Sequence, residues 1–274
     1  MGTMSNLPKT TSLTLEESDS WLTIWLNRPK ARNALSDELM SEFRATLVAT
    51  RDNPSMRGIT LRGKDGVFCA GGDLKDFKSN YQGRTQTMKN VMDSSRKAGE
   101  VFDLLNEMPQ VVVILVEGAA IAGGRGLVCT GDVVAVTADA QFSMTETTLG
   151  IPPAQIAPFV VQRLGLRTTR RLMLTAARFD GVEAGRLGLA DYVVDDNASL
   201  EQIEVDLKKQ VMRCAPNANA ITKEILLATR HLNRSDMLQL SATRFATCMM
   251  SEEGLEGVSS FLEKRRPDWA ENSN

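Results

Sequence analysis

Val111-Val112-Val113-Ile114-Leu115-Val116 is apolar at every position, rich in β-branched residues, and ends against Glu117-Gly118. Such a run reads as a buried strand rather than a helix, and a buried strand needs other elements to cover it. The flanking sequence supplies them. Trp21 to Leu26 is a second strand-like run, stopped by the turn signal Asn27-Arg28-Pro29. Ser36 then caps a helix with Asp37 and Glu38 in its first turn, and Leu35, Leu39, Phe43 and Leu47 recur at the period of one buried face. Asn53-Pro54 ends that helix, and Ile59-Thr60-Leu61 and Val133-Val134-Ala135-Val136 read as further strands. After Leu200 no strand-like run remains. Residues 200–213, 217–231, 235–249 and 251–264 carry helical spacing, with breaks expected at Ala215-Pro216, near Asn233 and at Glu253-Gly254. The reading is an α/β body over 12–195 with mostly parallel strands, followed by an all-helical region over 196–266.

Composition narrows the chemistry. Thirty-two Lys+Arg against 34 Asp+Glu give a net charge of -2, which argues against a dedicated nucleic-acid or anionic-membrane binder. His231 is the single histidine, so zinc sites of the three-histidine or Cys2His2 kind are excluded, and a Ser-His-Asp triad would have to use that residue. Its place at a helix end does not suggest catalysis. Cys69, Cys129, Cys214 and Cys248 are widely spaced and read as buried thiols in a reducing compartment. The polar stretch from Met1 to Thr11 lacks the apolar core of a secretory leader, and no apolar run is long enough to span a bilayer. A soluble, cytoplasmic protein without a metal is expected.

Two glycine-rich segments stand out, Phe68-Cys69-Ala70-Gly71-Gly72-Asp73-Leu74 and the stretch from Gly118 to Gly126. Neither fits a dinucleotide or P-loop pattern. The second follows the buried strand and opens a helix, where unpaired backbone N–H groups suit a negatively charged oxygen.

In series, the motifs resemble the crotonase (enoyl-CoA hydratase/isomerase) superfamily. Leu26-Asn27-Arg28-Pro29-Lys30-Ala31-Arg32-Asn33-Ala34-Leu35 is similar to its N-terminal signature, Cys69 to Leu74 to its first oxyanion loop, and Gly118 to Gly126 with Gly131-Asp132 to its second. Gln141 to Gly150 is similar to the segment bearing a catalytic glutamate, and Thr175-Ala176-Ala177 with Ala184 to Ala190 to the helix-turn beyond it. The resemblance implies a spiral of ββα turns with C-terminal helices that assemble a homotrimer or homohexamer. It implies an acyl-CoA thioester as substrate, with its carbonyl oxygen on the N–H groups of Gly72 and Gly123, and no cofactor beyond the CoA moiety. Glu146 becomes the catalytic acid/base, and Ala31, Ala70, Asp73, Leu74, Arg125 and Gly126 join Gly72 and Gly123 along the substrate.

Two departures matter. Family hydratases carry a second glutamate where this chain has Gly126. A lone Glu146 suffices for a double-bond isomerase and makes water addition harder without excluding it. The run Leu149-Gly150-Ile151-Pro152-Pro153-Ala154-Gln155-Ile156-Ala157-Pro158-Phe159-Val160 resembles instead the branched-glutaconyl-CoA hydratases, of the isohexenylglutaconyl-CoA type. Arg125 beside the oxyanion hole would then be able to meet a second substrate carboxylate, and otherwise reads as a solvated or intersubunit arginine. The late cluster Lys264-Arg265-Arg266 reads as a solvated face or, by the resemblance, a contact for CoA phosphates. Hydration is the favoured reading; the alternatives are isomerisation and an inert acyl-CoA-binding member.

Overall fold

The computed structural model describes residues 7–82 and 86–270, so Met1 to Asn6 of the N-terminal stretch lie outside it. The chain runs β1 (Leu13–Ser18), β2 (Trp21–Leu26), α1 (Asp37–Arg51), β3 (Gly58–Gly63), α2 (Leu74–Gln82), α3 (Met88–Asn106), β4 (Val111–Val116), β5 (Ala119–Ile121), α4 (Gly123–Cys129), β6 (Val133–Thr137) and β7 (Gln141–Ser143). It continues with α5 (Ala157–Leu174), β8 (Phe179–Asp180), α6 (Gly181–Leu187), β9 (Tyr192–Val194), α7 (Asn197–Met212), α8 (Pro216–Ala228), α9 (Arg234–Met249) and α10 (Glu252–Glu263). A large sheet has the order β1-β2-β3-β4-β6-β9, parallel except for the β1–β2 hairpin, and a small sheet has the order β5-β7-β8.

The two sheets are joined by repetition. A strand of the large sheet is followed by a short segment in the small one and then by a helix: β4-β5-α4, and β6-β7-α5. β3 does the same less regularly, because Cys69 bridges to Ala120 before the chain enters α2. This is the ββα spiral with a helical C-terminus that the motifs imply.

The apolar run of β4 serves both faces of the large sheet. Val112, Ile114 and Val116 point into the main core with Leu39, Phe43 and Leu47 of α1, whose cap Ser36 accepts from the Leu39 N–H at 3.2 Å. Val113 and Leu115 point the other way, against Leu200 and Leu207 of α7. α7 therefore packs as a cover for the sheet. Its buried Glu204 accepts from Thr60 Oγ1 at 2.7 Å, and Thr60 Oγ1 accepts from Trp21 Nε1 at 2.8 Å.

Two details differ from the sequence reading. Gly254 lies inside the first turn of α10, and the break before it falls at Met250-Ser251, where Ser251 caps the helix. Glycine is there for packing, since a Cβ would stand 2.0 Å from the Cys248 carbonyl oxygen. Among the thiols, Cys69 and Cys129 are buried, whereas Cys214 is exposed at the end of α7 and Cys248 is half-buried on α9. No described helix is long and apolar enough to cross a membrane.

Candidate active site

The two glycine-rich loops are sewn together by strand-like hydrogen bonds. Cys69 N–H donates to Ala119 O and Ile121 N–H to Cys69 O, both at 2.9 Å. Gly71 has φ +94, and a Cβ on it would stand 2.9 Å from Ala122 Cβ and 3.7 Å from Gly123 N. Gly124 sits on Cys69, where a Cβ would meet the Cys69 carbonyl oxygen at 2.5 Å. Larger residues at either position would force the loops apart. The Gly72 and Gly123 N–H groups have no acceptor among the described residues. Ala122, at φ 49 and ψ -121, is a strained non-glycine residue directly before Gly123, and its ψ fixes the plane of the peptide that bears the Gly123 N–H.

The first loop is held from the side. Asn33 Nδ2 donates to Lys64 O at 2.9 Å and to Val67 O at 2.6 Å, while Asn33 Oδ1 accepts from the Arg28 N–H at 2.9 Å. Arg28 pairs with Asp73 at 2.9 Å and donates to Ala34 O at 2.6 Å. A hydrogen bond from Arg28 outweighs burial and holds the Asp73 carboxyl below the ordinary value. Leu35 N–H donates to Gly71 O at 2.8 Å and Asp73 N–H to Leu35 O at 3.0 Å, which leaves the intervening Gly72 N–H free.

Glu146 arrives at the same edge. β5 and β7 are parallel with Ile121 opposite Ser143, and Ala122 N–H donates to Ser143 O at 2.9 Å. Gly123 and Glu146 thus leave the small sheet from the same end. Glu146 opens the 3-10 turn Glu146–Leu149, half-buried, and its Oε2 has no hydrogen-bond partner among the described residues. Burial pushes its carboxyl above the ordinary range, partly offset by its own N–H and the charge of Arg125. Arg125 is 0% exposed, with its guanidinium 4.9 Å from the centre of the Phe179 ring and no hydrogen-bond partner among the described residues for any of its three nitrogens.

Two free N–H groups and an enclosed carboxylate at one sheet edge form a site for stabilising a carbonyl oxygen while a proton moves nearby. Residues 16–272 match the family described as enoyl-CoA hydratase/isomerase. The chain belongs to the enoyl-CoA hydratase/isomerase family. It is 31% identical to the carnitinyl-CoA dehydratase of Proteus mirabilis, over 94% of this chain and 98% of that protein. It is 30% identical to the peroxisomal Delta(3,5)-Delta(2,4)-dienoyl-CoA isomerase of Arabidopsis thaliana, over 89% of this chain and 91% of that protein. Among solved structures, Pseudomonas aeruginosa AtuE is 48% identical, with a TM-score of 0.91 over 95% of this chain and all 100% of that one.

For an enzyme of the enoyl-CoA hydratase/isomerase family acting on acyl-CoA, the remaining candidate residues fall into distinct places. Ala31 ends a 3-10 turn, Pro29–Ala31, and Ala70 N–H donates to Arg32 O at 3.0 Å, so both shape the first loop. Leu74 opens α2 and is 70% exposed. Gly126 is packed shut: a Cβ there would stand 2.4 Å from Ile156 Cγ2 and 3.1 Å from Phe102 Cε1. Arg125, read either as facing a substrate carboxylate or as solvated or intersubunit, is enclosed instead, because its helix turns it onto Phe179. Cys69 is neutral packing, its thiol pushed up to about 12 by burial. In the late cluster Arg265 is occupied by Glu256 and Glu263. Sequence reasoning missed Asn33 and Arg28 as supports and Ile156 and Phe102 as walls. The first pair lay within a quoted motif; the second pair sits far from Gly126 in sequence.

Proposed function

We propose that this enzyme hydrates an α,β-unsaturated acyl-CoA thioester of branched, glutaconyl-like type, with Glu146 as its acid/base. The observation that carries this reading is the free Gly72 and Gly123 N–H groups sharing a sheet edge with the enclosed Glu146 carboxylate. The thioester oxygen accepts from both N–H groups. Water bonds to Cβ as Glu146 takes its proton, and the π electrons move onto the thioester oxygen as an enolate. The enolate collapses, and Glu146 returns the proton to Cα. One water adds across the double bond, its oxygen to Cβ and a proton to Cα, so the step as written uses the CoA substrate, that water and Glu146. Each N–H donor is worth about 10²–10³ in rate. The branched chain rests on the likeness of Leu149 to Val160 to branched-glutaconyl hydratases.

One observation favours isomerisation as the second reading. The position of a second carboxylate, Gly126, is filled by Ile156 and Phe102, and one carboxylate is enough to move a proton between two carbons. Mass spectrometry after incubation with crotonyl-CoA and a branched glutaconyl-CoA separates the readings. Hydration adds one water, isomerisation leaves the mass unchanged with a new retention time, and an inert member leaves the substrate intact. Glu146→Gln should lower turnover by about 10²–10⁴ with acyl-CoA affinity retained, and equal activity in the variant would remove Glu146 from the mechanism. Assembly as a homotrimer or homohexamer through the C-terminal helices, in the cytoplasm, belongs to the same proposal.

A further inference from the structure

Arg125 is the buried charge that the mechanism above leaves unused. Its guanidinium lies over Phe179, which stacks on Phe142 of β7 at 5.4 Å, and Glu146 leaves that same strand. The ring face offers a cation part of what burial removes, yet all three guanidinium nitrogens remain without a hydrogen-bond partner among the described residues. Glu146 Oε2 is equally orphaned, and no ion pair joins the two among the described residues.

We propose that Arg125 is a positioning residue for Glu146, a counter-charge pinned on the Phe179 ring that orients the enclosed carboxylate without bonding to it. The inference rests on Glu146 as the acid/base. Charged neighbours are few. Glu146 feels Arg125 from α4; Arg125 feels Glu146 and Cys129 one turn on; Cys129 also feels Arg163 of α5, and its thiol is pushed up to about 11 by burial and so stays neutral. Burial raises the Glu146 carboxyl, while its own N–H and the charge of Arg125 draw it down. These opposed influences meet on the one group that has to both take and return a proton. A direct ion pair would favour the ionised form more strongly and hinder the return.

The test has two arms. The first is the pH dependence of kcat/KM for wild type, Arg125→Lys and Arg125→Met, with Arg125→Gln as a second uncharged variant should the methionine protein not fold. Without the charge, Glu146 holds its proton to higher pH, so the acid limb should move up, while the lysine variant stays near wild type. The second arm titrates the Glu146 carboxyl by carbon-13 NMR, with Glu146→Gln assigning the signal; it needs no turnover. An unmoved acid limb and carboxyl titration in the uncharged variants overturn the proposal. So does a higher KM confined to glutaconyl-type substrates, which would make Arg125 a substrate-carboxylate ligand instead. If the carboxyl titration moves while Glu146→Gln stays active, Arg125 does govern Glu146 and it is the acid/base reading that falls.

Discussion

Ile156 and Phe102 decide what position 126 can do. A glutamate there must place its Cβ 2.4 Å from Ile156 Cγ2 and 3.1 Å from Phe102 Cε1, so the wall has to move before the carboxylate finds room. Gly126→Glu should therefore lower stability by about 1–3 kcal/mol through overpacking and should not raise hydration of crotonyl-CoA. Trimming the wall tests the cause: Gly126→Glu with Ile156→Ala should recover part of the lost melting temperature. Thermal melts and kcat/KM on both variants check this, and a gain in crotonyl-CoA hydration by Gly126→Glu alone would show that the wall yields. Gly72, Gly123 and Glu146 were picked out by the resemblance of their motifs, and the structure brings their loops to one sheet edge. The burial of Arg125 was not. The lone residue carries no sign of which helix face is inward, and an arginine beside an anion site invites the opposite reading.

At the scale of elements, strands with continuous apolar runs were readable, since β4 must be covered on both faces wherever it lies. β5, β7 and β8, of 3, 3 and 2 residues, are too short to show an alternation and exist because the turns of the spiral bring them together. The α9–α10 corner was displaced in the reading for a related reason. Gly254 breaks helical propensity locally, yet its lack of a side chain is used for close approach to the Cys248 carbonyl oxygen. Gly254→Ala, which would raise propensity in an isolated helix, should here destabilise by about 1–3 kcal/mol because backbone atoms must separate. Calorimetry checks the sign: a higher melting temperature for Gly254→Ala would mean that the corner opens without cost.

The whole molecule leaves an apolar surface on its C-terminal helices. None of the 16 residues of α9 is buried, and Leu238 (63% exposed), Phe245 (68%) and Met249 (44%) follow one another at helical spacing. On α10, Leu255 (61%), Val258 (47%) and Leu262 (74%) repeat the pattern beside Phe261 (83%). Exposed apolar rows of this kind on two helices suit burial against further copies of the chain. Light scattering at micromolar concentration should give three or six times the mass of one chain. Phe245→Asp combined with Phe261→Asp should shift that mass toward the monomer while circular dichroism stays helical, because neither residue belongs to the internal cores. A monomeric wild type would sink the assembly. An oligomeric wild type whose mass the double variant leaves unchanged would place the interface elsewhere, and the exposed faces of α9 and α10 would need another partner.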